Sequence, residues 1–186
     1  MKDYGTVLPE FEVVPGTFLS YDDDTGWHLR LKKMFSEAGH ELETATNKSQ
    51  FEFYIAQDLV LPNFDGIIFD MDLEQKLDNS GHHHGVHVAA DMIVKYRKLM
   101  RQNPEKLSEL PSLYMLSKSS ASSQRGWTTA YNVPILRHFN KDDVKEVRVD
   151  LVLDLQYDKM MRDKRIRDYK AGRGELYFPN QAKKIA

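Results

Sequence analysis

The chain has 186 residues, of which 41% are apolar and 29% charged, a balance that fits a soluble globular domain and excludes a disordered or membrane-embedded chain. Its net charge of −2 gives no general pull toward nucleic acid or a membrane surface, and the lack of cysteine excludes disulfides and thiolate chemistry. The first residues, MKDYGTVLPEFEVV, lack the apolar core of a secretory signal, and no apolar run approaches the roughly 18–20 residues that span a bilayer.

In chain order, residues 1–16 read as an irregular leader broken by Pro9, Pro15 and Gly16. TFLSY (17–21) is a short strand that runs into Asp22, Asp23 and Asp24. Trp27, Leu31, Met34, Phe35 and Ala38 then share one helical face, with Gly39 as the stop and Asp24 as the natural cap. HELETAT (40–46) alternates like a strand, and Asn47 can cap a second helix that turns Phe51, Tyr54 and Ile55 inward.

After the Pro62-Asn63 turn comes FDGIIFDMDLE (64–74), an apolar strand that ends on Asp70, Asp72 and Glu74. A polar loop over 74–85 contains His82, His83 and His84, and a strong amphipathic helix follows from Val86 until Pro104 closes it. PSLYMLS (111–117) is a strand ending on Ser117, SASSQRGWTTAY a weak helix or loop, and VPILRHF (133–139) a fifth strand ending on Arg137 and His138. VRVDLVLDLQY fits either a strand or a helix; the alternating order of elements favours a helix, which the charged run DKMMRDKRIRDYK would prolong.

Strands alternating with helices imply a parallel sheet covered on both faces, and in such sheets ligands bind beyond the carboxyl ends of the strands. The acids at 22–24, Asp70, Asp72, Ser117 and Arg137 are thereby expected on one edge. Several carboxylates in one pocket stay ionised only beside a cation, and hard oxygen donors suit Mg²⁺, which keeps waters and accepts phosphate oxygens. A carboxylate so placed can take a phosphoryl group, a hydroxyl such as Ser117 can donate to it, and a cation can pair with it.

These residues resemble the receiver domain of two-component response regulators. FLSYDDDTGWHLRLKKMFSEAGHELETATN is similar to its first strand, acidic pair, first helix and second strand; DGIIFDMDL to its third strand, LPSLYMLS to its fourth, and ILRHFNKDDVKEV to its fifth strand and last helix entry. The resemblance spans about residues 17–155. It implies a flavodoxin-like, doubly wound, five-stranded parallel sheet of order 2-1-3-4-5, with residues 17–157 as the domain, 1–16 as leader and 158–186 as a helical extension and tail.

The same resemblance makes Asp70 the phosphoacceptor, Asp22 and Asp23 the acidic pair that places Mg²⁺, Asp72 a backbone metal contact and Ser117 the switch hydroxyl. It implies a cytoplasmic, non-enzymatic signalling module that exchanges phosphate with a histidine kinase or phosphotransfer protein, with a homodimer as a further contact. The family's lysine-proline pair in the fifth strand falls on Arg137-His138, so Arg137 and Lys118 are the candidate cations at the phosphoryl group, with Lys141 as an alternative. The family's switch aromatic falls on Pro134.

Two other readings stand beside this one. DGIIFDMD also resembles the DxD motif of haloacid-dehalogenase-like phosphatases, with Asp70 as nucleophile and Asp72 as acid, although Leu73 and Glu74 depart from that motif. The fifth-strand departures also fit a receiver-like module that binds partners without being phosphorylated. His82, His83, His84 and His87 read as a solvated loop in preference to a transition-metal site. The basic run Lys159–Arg173 reads as a solvated helix face and not a nucleic-acid contact, and ELYF (175–178) as a segment that can dock on the core or a partner.

Overall fold

The computed structural model describes residues 14–60, 63–71, 73, 84–102, 111–118, 121–130, 133, 135, 137–143 and 147–173. Five strands alternate with helices: β1 (Thr17–Tyr21), α1 (Thr25–Glu37), β2 (Glu41–Ala45), α2 (Lys48–Val60), β3 (Gly66–Phe69), α3 (His84–Gln102), β4 (Ser112–Ser117), α4 (Ala121–Ala130) and β5 (Arg137–Asn140). A π-helical turn (Val147–Leu151) then leads directly into α5 (Val152–Lys170). All strand pairs are parallel, in the order β2-β1-β3-β4-β5.

Strand side chains alternate between two apolar layers, as the two-residue period of a strand requires. Leu19, Tyr21, Ile67, Phe69, Leu113 and Met115 pack with Phe51 and Ile55 of α2 and Val86, Ala89 and Met92 of α3. Phe18, Ile68, Tyr114, Leu116 and Phe139 pack on the other face with Trp27, Leu31 and Phe35 of α1 and with Val147, Leu151, Val152 and Leu155. With both faces covered, the central strands are largely apolar, and β3 and β4 are buried along their whole lengths.

Local signals set the helix starts. Asp24 caps α1 by accepting from the N–H groups of Gly26 (2.9 Å) and Trp27 (3.3 Å), and Asn47 accepts from Gln50 N–H at 3.0 Å to start α2. Gly39, with φ of 78°, supplies the left-handed turn that ends α1.

The fifth strand corrects the sequence reading. It was expected over 133–139; it runs Arg137–Asn140, with Tyr114 paired to Arg137 and Ser117 to Asn140. The expected and observed spans share Arg137–Phe139, while Val133 and Ile135 lie outside the strand; β5 is only partly buried and can hold a charged residue where a neighbouring helix supplies counter-charges. Arg137 stands inside β5 because Asp150 and Asp154 meet it from the last helical segment.

The ambiguous segment 147–157 is helical, and α5 continues without a break across position 158, where an extension was expected to begin. Among the described residues, no helix is long and apolar enough to cross a membrane.

Candidate functional site

Because every strand is parallel, all five carboxyl ends open on one edge. Three residues each continue a ladder one place past their strand. Asp22 donates its N–H to Ala45 O (3.1 Å), Asp70 to Tyr21 O (2.8 Å) and Lys141 to Ser117 O (2.9 Å). Their backbones are thus held by the sheet itself, and their side chains meet above it.

Carboxylate oxygens of Asp22, Asp23 and Asp70 all lie within 4.8 Å of one another. The ammonium of Lys141 sits 2.6 Å from an oxygen of Asp22 and 2.6 Å from one of Asp70. This is a desolvated cluster: Asp22 is 1% exposed, Asp70 6% and Lys141 3%. The other oxygen of Asp22 accepts from Asp24 N–H at 2.9 Å, which ties the acid to the start of α1.

The charges in this cluster are unequally matched. Burial opposes the Lys141 cation, but Asp70 and Asp22 outweigh it and hold the lysine above its usual range. Burial raises the Asp22 carboxyl, and Lys141 offsets this only in part. One cation gains two anions, whereas each anion shares one cation, so the two shifts run in the same direction. His28, buried in α1, is pushed down to about 4, first by burial and then by Lys141 and Lys32, and its Nε2 makes no hydrogen bond among the described residues.

A cluster of this kind can hold a hard divalent ion. Octahedral Mg²⁺ with oxygens at about 2.1 Å places ligands at most about 4.2 Å apart, close to the 4.8 Å within which the three carboxylate oxygens lie. The three carboxylates are thus compatible in donor type and spacing with such an ion.

Of the residues singled out in the sequence, Asp22, Asp23 and Asp70 converge, and Ser117 ends β4 fully buried on the same edge. Asp72, His82 and His83 lie outside the described residues. His84 and His87 fall in the first turn of α3. Lys118 is exposed, one residue past β4.

Arg137 is placed elsewhere. It occupies the amino end of β5, where its guanidinium donates to Asp154 (2.7 Å) and Asp150 (3.3 Å) and lies over the Phe139 ring at 4.8 Å. The cation of the cluster is Lys141, named in the sequence only as an alternative. Its signal was positional: it is the first lysine after the fifth strand, and the register that ends β5 at Asn140 sets it beside the cluster.

No protein-family model matches the sequence, and no curated protein matches it either. Solved structures do match the fold. A CheY-like response regulator receiver domain protein from Methanospirillum hungatei JF-1 superposes with a TM-score of 0.54 at 14% identity, covering 81% of this chain and 98% of its own. Vibrio cholerae chemotaxis protein CheY4 gives 0.54 at 15% identity, over 76% of this chain and 99% of its own. A response regulator receiver domain protein from Clostridium thermocellum gives 0.55 at 14% identity, over 80% and 98%. The fold is that of CheY-like receiver domains, with the flavodoxin-like strand order 2-1-3-4-5.

Proposed function

We propose that this chain is a phosphoacceptor module in two-component signalling, and that Asp70 takes the phosphoryl group. The observation that carries the reading is the buried Asp22-Asp70-Lys141 cluster, with half-buried Asp23 beside it, at the carboxyl edge of a receiver-type sheet.

In the proposed step, a carboxylate oxygen of Asp70 bonds to phosphorus as the bond from phosphorus to the donor breaks. The donor is the imidazole nitrogen of a phosphohistidine on a histidine kinase or phosphotransfer protein. The product is an acyl phosphate on Asp70, and the freed imidazole nitrogen keeps the electron pair.

Asp22, Asp23 and Asp70 would hold Mg²⁺, which when bound neutralises charge on the phosphoryl oxygens. Lys141, already against Asp70, would pair with one of those oxygens, and the Ser117 hydroxyl would donate to another. Arg137 is given no part in the step, since its guanidinium serves α5.

Placing Lys141 at the family's lysine also moves the switch aromatic. The three-residue interval that had assigned Pro134 now selects His138, whose Nε2 lies 3.1 Å from Thr128 Oγ of α4. Output would then pass through a histidine bonded to α4, and the signal is a conformational bias and not turnover.

The test is incubation with Mg²⁺ and acetyl phosphate, read by intact and peptide mass spectrometry. The expected result is one phosphoryl group on Asp70, lost in Asp70→Asn and in the absence of Mg²⁺. A protein that binds Mg²⁺ yet never carries phosphate would overturn the phosphoacceptor reading in favour of a binding module.

A further inference from the structure

Gly85 is the second residue of α3, and glycine is a poor choice inside a helix. Its surroundings explain it. A Cβ built there would overlap the carbonyl oxygen of Asp70 and lie 2.8 Å from the Asp70 carbonyl carbon and 3.0 Å from Met71 Cα. All three are backbone atoms, so no change of rotamer relieves the overlap. Gly126, the corresponding glycine within α4, has no such neighbour within 4 Å.

We propose that Gly85 is a positioning residue for Asp70, its bare Cα letting the first turn of α3 seat directly on the peptide that follows the carboxylate. The proposal rests on the phosphoacceptor reading of Asp70.

The peptide segment is gripped from both sides. Asp70 N–H donates to Tyr21 O of β1 at 2.8 Å, and Gly85 N–H donates to Met71 O at 3.3 Å. Helix α3 cannot move outward at little cost. Val86 and Ala89 are fully buried against the sheet, and Tyr96 Oη donates to Asp58 of α2. A side chain at 85 therefore has to displace the Asp70–Met71 backbone and swing the carboxylate away from Asp22, Asp23 and Lys141.

Helix propensity alone makes the opposite prediction for stability, because alanine is the better helix residue at both glycines. Gly85→Ala and Gly126→Ala are therefore compared with the natural chain. Calorimetry measures beryllofluoride binding in saturating Mg²⁺, and a thermal melt of each protein confirms that it is folded at the titration temperature. The expected result is affinity at least about tenfold weaker in folded Gly85→Ala and unchanged in Gly126→Ala.

Equal affinity in folded Gly85→Ala overturns the inference. No binding by the natural chain removes the phosphoacceptor reading itself, a distinct outcome seen before any variant is examined. Should Gly85→Ala fail to fold, the natural chain decides. Beryllofluoride with Mg²⁺ must shift the Gly85 amide resonance well beyond that of Gly126, and an unmoved Gly85 resonance overturns the proposal.

Discussion

Lys141 and Asp70 stand 71 residues apart in sequence and 2.6 Å apart in space, with both side chains almost wholly withdrawn from water. A lysine there has lost its hydration and gained two carboxylates. Deleting its charge leaves Asp22 and Asp70 facing each other in a poorly solvated pocket, which is far costlier than the net worth of the pair. Lys141→Met is expected to destabilise the protein by about 3–5 kcal/mol in metal-free buffer. Millimolar Mg²⁺ should recover a large part of that loss, because it replaces the missing cation. Urea unfolding at neutral pH with and without Mg²⁺ measures both effects. A small loss that Mg²⁺ does not alter would show that the carboxylates tolerate each other by another route.

Arg137 makes the opposite prediction. Its partners Asp150 and Asp154 are more than a third exposed, so screening limits what the pairs contribute. Arg137→Ala should cost about 1 kcal/mol, from the two ion pairs and the stacking on Phe139. Mg²⁺ and beryllofluoride affinity should stay within about twofold, as expected of independent sites. Calorimetric titration of the variant checks this, and a large loss of affinity would return Arg137 to the site.

The contrast between these two cations shows what the sequence makes legible. The order of elements, the two caps at Asp24 and Asn47, and the convergence of Asp22, Asp23 and Asp70 all follow from local patterns. Periodicity marks the helices, apolar runs mark β3 and β4, and parallel topology then brings the strand ends together whatever their separation in sequence. The lysine was assigned poorly because its place depends on the register of β5, which is decided by pairing. Tyr114 opposite Arg137 cannot be read from a four-residue apolar run. The role of Gly85 was equally hidden, since only coordinates reveal that the Asp70 carbonyl occupies the space of its missing side chain.

His28 should give the fold a dependence on mild acid. Its folded-state value is lowered from 6.5 to about 4, so the native protein resists a proton that the unfolded chain accepts. The associated stability is fully present above pH 6.5 and is lost as pH falls from there toward 4, by at most about 3 kcal/mol. His40 and His138 are also lowered by burial and add slope in the same direction, whereas the raised Asp22 opposes it at the acid end. His28→Leu keeps an apolar residue of similar size beside Leu31 and removes the titration. Urea midpoints at pH 7, 5.5 and 4.5 should fall less steeply in the variant than in the natural chain. Parallel curves would place the acid sensitivity in the other groups.

At the amino edge of the sheet, opposite the acidic cluster, Asp65 fastens α5 to the strands. Its carboxylate accepts from Thr17 N–H (3.0 Å), from Lys159 Nζ (3.0 Å) and from Arg162, and its carbonyl accepts from Ser112 N–H at 3.0 Å and Arg162 Nη1 at 3.1 Å. The basic run that reads as a solvated helix face thus has its first two cations withdrawn into an ion-pair knot. Asp65→Ala keeps the carbonyl contacts but deprives two largely buried cations of a shared carboxylate and leaves Thr17 N–H without that acceptor. A loss of about 2–4 kcal/mol is expected, with Asp65→Asn intermediate because the amide oxygen still accepts. Hydrogen exchange should accelerate most in α5, while Mg²⁺ affinity changes by no more than about twofold, since the two edges are independent. Faster exchange confined to α1 or α2 instead would show that the knot secures the strands and not the helix.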